Sequence, residues 1–139
     1  MISSFDSIYS QNRTIKGLVI DESFESIISA EIIINDSINV GKTGTDGRFQ
    51  FETPLTDFKL KIMYVGMEEA ELEITEGCNN IELIMMDEMT YCFLSPKKVD
   101  KDRRKRFNKI PKLHKEAYDK GIFQSPDICY SRQFREFSK

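Results

Sequence analysis

Between residues 13 and 86 apolar side chains recur at every second position in short runs, and a turn former closes each run. That period belongs to strands, because successive side chains of a strand point to opposite faces. Arg48-Phe-Gln-Phe-Glu52 shows it most strictly, with Phe49 and Phe51 on one face. Phe58-Lys-Leu-Lys-Ile-Met-Tyr64 repeats it, placing Phe58, Leu60, Ile62 and Tyr64 inward and the lysines outward. Residues 14–20 alternate and then run apolar, as a strand half covered by another sheet would. Residues 30–34, 38–43, 70–74 and 80–86 complete the set. Between them Asn35-Asp-Ser37, Gly44-Thr-Asp-Gly47, Pro54, Val65-Gly-Met67 and Gly77 supply turn chemistry. Seven strands at spacings of roughly ten residues, with no helical stretch among them, predict an all-β sandwich. So many Ile, Leu and Phe in step cannot all face water, so two sheets must pack face to face.

Charge divides the chain in two. Residues 1–96 carry 6 Lys/Arg against 17 Asp/Glu, a net of −11, whereas residues 97–139 carry 14 against 6, a net of +8. An acidic first part is therefore joined to a basic tail. At 139 residues, 40% of them hydrophobic and 31% charged, the chain suits one globular domain with an appendage rather than a disordered polymer.

Within the tail, Arg103-Arg-Lys-Arg106 stands in a charged run. Pro111 then opens a short helix, proline being well placed at a first helical position. Leu113 and Ala117, with His114 and Tyr118, fall on one side of it, and Gly121 ends it with Ile122 and Phe123 available to pack back. A helix of about three turns is marginal alone in water, so it must dock on something. Residues 124–139 hold Cys129, Tyr130, Phe134 and Phe137, too aromatic for a purely disordered end. The organisation expected is an N-terminal arm at 1–12, the sandwich at 13–94 and a basic helical and aromatic tail at 95–139.

Three motifs in order resemble those of the carboxypeptidase-regulatory-like domains, common in Bacteroidetes proteins. Ile15-Lys-Gly-Leu-Val-Ile-Asp21 is similar to the family's opening strand. Thr45-Asp-Gly-Arg-Phe49 is similar to its hairpin, shortened between Asp46 and Gly47, and Met63-Tyr-Val-Gly-Met67 to its V-G-aromatic segment, with Met67 in place of the aromatic. Ile81-Glu-Leu-Ile84 matches the closing strand. The resemblance implies a seven-stranded antiparallel transthyretin-like sandwich over residues 13–86, followed here by a basic segment with one short helix. It also implies a non-catalytic role, since these domains accompany peptidase domains or precede outer-membrane transporters. The basic tail lies outside it.

Candidate sites are few. His114 is the single histidine and the one candidate for a general base of the commonest kind, yet no Ser or Cys nucleophile is near it in sequence. Cys78, Cys92 and Cys129 are an odd number with no CxxC pair, which argues against a disulfide framework or a zinc site and for reduced thiols. Cys92, between Tyr91 and Phe93, reads as a small buried hydrophobe. Asp46 reads as a turn aspartate rather than a calcium ligand. No catalytic residue, metal or cofactor is expected, and no enzyme.

The basic tail carries the functional signal. Arg103, Arg104, Lys105, Arg106, Phe107, Lys109, Leu113, Tyr118 and Phe123 are the candidate contact residues for a protein partner, an acidic one by charge. A homodimer through an edge strand fits the same pattern. The alternative is a nucleic-acid-associated protein acting through residues 97–109, with Ser95-Pro-Lys-Lys98 similar to minor-groove-binding tetrapeptides. No stretch reaches the roughly 18 apolar residues of a membrane span. The first residues lack a basic and an apolar leader region, which predicts a cytoplasmic location, or a periplasmic one if a leader has been removed.

Overall fold

The continuous apolar run Leu18-Val19-Ile20 is buried on both faces within β1 (Arg13–Asp21), a fuller cover than the half-covered strand expected there. In the computed structural model, which describes residues 12–88 and 95–136, it lies at the centre of a three-stranded sheet. β4 (Arg48–Thr53) flanks it antiparallel and β7 (Asn80–Met85) flanks it parallel. The wholly antiparallel expectation is corrected at this pair. A parallel neighbour needs a long crossover, and the strands between β1 and β7 provide it by building the other sheet.

That sheet follows the order β3 (Ile38–Lys42), β2 (Glu31–Ile34), β5 (Phe58–Met63), β6 (Ala70–Ile74), β8 (Ser131–Arg132). The first four come from the alternating region and β8 from the tail. All its pairs are antiparallel, and a register shift between Ile32 and Ile33 interrupts the β2–β3 edge. The facing sides of the two sheets meet in one core, with Ile15, Val19, Phe49 and Leu83 opposite Ile32, Leu60, Ile62 and Leu72. Tyr64 does not join it. It lies beyond the end of β5 at the β5–β6 turn, 40% exposed beside the 93% exposed Val65.

Two helices follow where one was expected. α1 (Pro96–Asn108) begins at Ser95, whose side chain accepts from the Lys98 amide at 3.2 Å, with Pro96 in the first turn. The Ser-Pro-Lys-Lys tetrapeptide is thus a helix start, an N-cap followed by a first-turn proline. α2 (Ile110–Asp119) follows after Lys109. Gly121, at φ +80°, ends it as anticipated, and Ile122 donates back to the Ala117 carbonyl at 2.9 Å.

α2 forms a third layer on the outer side of the three-stranded sheet. Ala117 and Phe123 pack there on Leu18, Ile20 and Ile84, with Leu113 and Ile122 at the margin. This cover explains the apolar runs of β1 and β7, since both of their faces are buried. The readings made for residues 1–11, for Cys92 and for Phe137 lie outside the described residues.

Candidate interaction surface

The tail is fastened to the acidic sandwich along its length. On α1, Arg103 forms a two-pronged contact with Glu68, at 3.1 Å from Nε and 2.9 Å from Nη2. Its Nη1 reaches Asp100 at 3.2 Å and donates to the Arg135 carbonyl at 2.7 Å. The Glu68 hydrogen bond is the largest influence on Arg103 and strengthens its hold on its proton. Arg106 binds Glu22 at 2.6 Å. Both pairs are partly screened from water, where charge-assisted hydrogen bonds gain strength.

After α2 the chain returns across the open side of the sandwich. The buried Glu82 carboxylate on β7 accepts the amides of Gln124 and Ser125 at 2.6 and 3.2 Å. Tyr130 donates its hydroxyl to the Glu82 carbonyl at 2.8 Å, and Arg132 donates to the Ile84 carbonyl at 2.6 Å. β8 then pairs with β6. The return segment so covers edges of both sheets, and burial pushes the Tyr130 phenol well above its usual value.

Cys78 and Cys129 form a disulfide, with Cα atoms 5.5 Å apart and a sequence separation of 51. The expectation of reduced, unpaired thiols is corrected here. Spacing alone could not show the pair, because only the return of the tail brings Cys129 to the start of β7. Cys92 lies outside the described residues.

His114 is buried between α2 and the loop after it. Its Nε2 donates to the Ser125 carbonyl at 2.9 Å, its ring lies 4.6 Å from that of Phe123, and its Nδ1 has no hydrogen-bond partner among the described residues. The contact holds the loop against the helix. Among the described residues no group of three His, Cys, Asp or Glu side chains is placed to hold a metal ion.

The nine candidate contact residues separate into two sets. Arg103 and Arg106 are engaged by Glu68 and Glu22, Phe123 is buried at 2% exposure, and Leu113 is half-buried in the docking layer. Phe107 lies edge-on to Phe134 at 5.3 Å. Arg104, Lys105, Lys109 and Tyr118 remain on the surface, Arg104 with its guanidinium 4.0 Å from the centre of the Phe134 ring. Lys97, Lys101 and Lys112 join them, so the outer side of α1 and the start of α2 form a basic face. At the corner between the helices a groove of about 350 Å³ opens, lined by Phe107, Ile110, Pro111, Ile128, Tyr130 and Arg132. Sequence reasoning passed over Ile110, Ile128 and Arg132, and noted Tyr130 for its aromatic ring without making it a contact residue.

Two sheets with a structural helix on the outer side, and glycines and aromatics spent on turns and core, define a β-sandwich module. The family model of the CarboxypepD_reg-like domain matches residues 15–91, and the chain belongs to that family. The domain is a non-catalytic β-sandwich module. No curated protein matches the chain. Among the described residues no helix is long and apolar enough to cross a membrane.

Proposed function

We propose that the protein is a non-enzymatic interaction module that binds an acidic protein partner through the basic face of its two helices. The observation carrying this reading is the sorting of charge. Arg103 and Arg106 are spent on the sandwich, while Lys97, Lys101, Lys105, Lys109 and Lys112 project into solvent and Arg104, exposed as well, lies over the Phe134 ring. The tail's docking leaves a positive surface on a chain whose net charge is −3. Such a surface steers and selects partners of opposite sign.

The Cys78–Cys129 disulfide supports an oxidising location, the periplasm or cell surface, since such bonds persist there and are rare in a reducing cytosol. Alkylation of free thiols in unbroken and lysed cells, followed by mass spectrometry, tests this. A Cys78–Cys129 peptide recovered intact is expected, and free thiols at both positions would place the protein in the cytosol.

The binding role is tested by crosslinking in the native cell and affinity capture with the wild-type chain and with Lys101→Glu/Arg104→Glu/Lys105→Glu. All three positions are exposed, so the fold should survive. Acidic proteins recovered by the wild type and lost with the variant are expected. Recovery of the same proteins by both would remove the basic face from the account. Binding to duplex DNA with a steep salt dependence would favour the nucleic-acid reading instead.

A further inference from the structure

Arg132 lacks a carboxylate partner among the described residues, although Arg103, Arg106 and Arg135 of the same tail each have one. Its Nη1 donates to the Ile84 carbonyl, and its guanidinium carbon lies 5.7 Å from the centre of the Phe107 ring. Burial is the largest influence on it and loosens its hold on its proton. Glu68 and Glu22 act on it from a distance, each being hydrogen-bonded to another arginine. A guanidinium presents five N–H donors, so a partly buried one with a single carbonyl acceptor among the described residues has capacity for an anion.

This cation lines the groove at the α1–α2 corner together with the apolar side chains of Phe107, Ile110, Pro111, Ile128 and Tyr130. The volume of about 350 Å³ is at the lower end of ligand-sized cavities and suits one or two apolar side chains rather than a large cofactor. Lys109 and Lys112, exposed, flank Ile110 and Pro111 along the chain and carry the positive charge beyond the groove.

We propose that this groove docks an acidic peptide segment of the partner, an apolar side chain entering between Ile110 and Tyr130 while a carboxylate pairs with Arg132. Further carboxylates of the segment meet Lys109 and Lys112, which a small carboxylic acid filling the groove would not reach. The inference rests on the reading above that the partner is an acidic protein, and it names where that partner is gripped.

The probe is a fluorescently labelled peptide of about ten residues, alternating glutamate with leucine, titrated by polarisation at low salt into the oxidised full-length chain. Saturable binding is expected, weakened about tenfold or more when glutamine replaces glutamate in the peptide. Asn108→Glu/Pro111→Glu places two carboxylates at exposed lining positions and should weaken binding by a similar factor with an unchanged melting temperature. Arg132→Gln should do the same, and the Asn108/Pro111 pair keeps the test valid if that variant folds poorly. Equal affinity for wild type and Asn108→Glu/Pro111→Glu overturns the groove while leaving the acidic-partner reading intact. No binding of the peptide by the wild-type chain overturns both. Displacement of the peptide by an equal concentration of hexanoate would make the occupant a small carboxylic acid. Binding only by a chain shortened by residues 1–11 would make it the protein's own first segment. Either result overturns the assignment to a partner peptide.

Discussion

Gly17 stands opposite Phe49 across the β1–β4 pair, and the Phe49 ring lies where a side chain at 17 would be. A Cβ there would come within 2.2 Å of ring carbons and 2.6 Å of the Ile81 carbonyl. The opening motif therefore keeps its glycine so that an aromatic can lie across the strand and fill the core. Gly17→Ala should displace Phe49 and cost roughly 1–3 kcal/mol, the usual price of overpacking. Urea unfolding measures it, and an unchanged midpoint would mean that Phe49 does not lie across β1. Tyr130 makes a second demand at this scale. Its folded-state pKa is raised by burial, so above the unfolded value near 10 the unfolded chain gives up the phenol proton first. Stability from this group is full below about pH 10 and declines as pH rises above it. Tyr130→Phe should flatten that alkaline decline while losing about 1 kcal/mol at neutral pH with the bond to the Glu82 carbonyl. An identical alkaline limb in wild type and variant would show that Tyr130 is not buried as described.

β7 is the element on which the two parts of the protein meet. One side of its backbone pairs with β1, while on the other the Glu82 and Ile84 carbonyls are taken by Tyr130 and Arg132. The Cys78–Cys129 bond closes the chain just ahead of it. Linking residues 51 apart removes entropy from the unfolded chain worth about 4 kcal/mol in the loop-closure estimate. Cys78→Ser/Cys129→Ser should accordingly be destabilised by about 3–4 kcal/mol, and the wild type in reductant should behave likewise. Equal melting of oxidised and reduced wild type would contradict this. The sandwich strands were legible because a period of two is a local property, carried by neighbours such as Phe49 and Phe51. The fastening of the tail was not, because Glu82, Glu68 and Cys78 meet groups brought to them only by the completed fold. The helical nature of residues 96–108 was masked by charge, yet Ser95 and Pro96 carried a capping signal. The run Leu18-Val19-Ile20 was read as a strand half covered by another sheet, and the second cover escaped because only the completed fold lays α2 on Leu18 and Ile20.

Across the whole molecule the acidic sandwich and the basic tail form one folded body. Part of the opposite charge is consumed between them, as in Arg103–Glu68 and Arg106–Glu22, and the remainder faces outward on α1 and α2. A separable tail could release its arginines to a partner, whereas a docked one offers only the lysine-rich outer side and the groove at the helix corner. Removal of residues 95–139 would uncover Leu18, Ile20 and Ile84 on the outer side of the three-stranded sheet, and the truncated chain should aggregate. Hydrogen–deuterium exchange on the oxidised, full-length protein tests this arrangement most directly. The amides of α2 should open together with those of β1 and β7, at the rate of global unfolding. Exchange of α2 within seconds, with the strands still protected, would show the tail to be a separate appendage and would contradict the docked third layer.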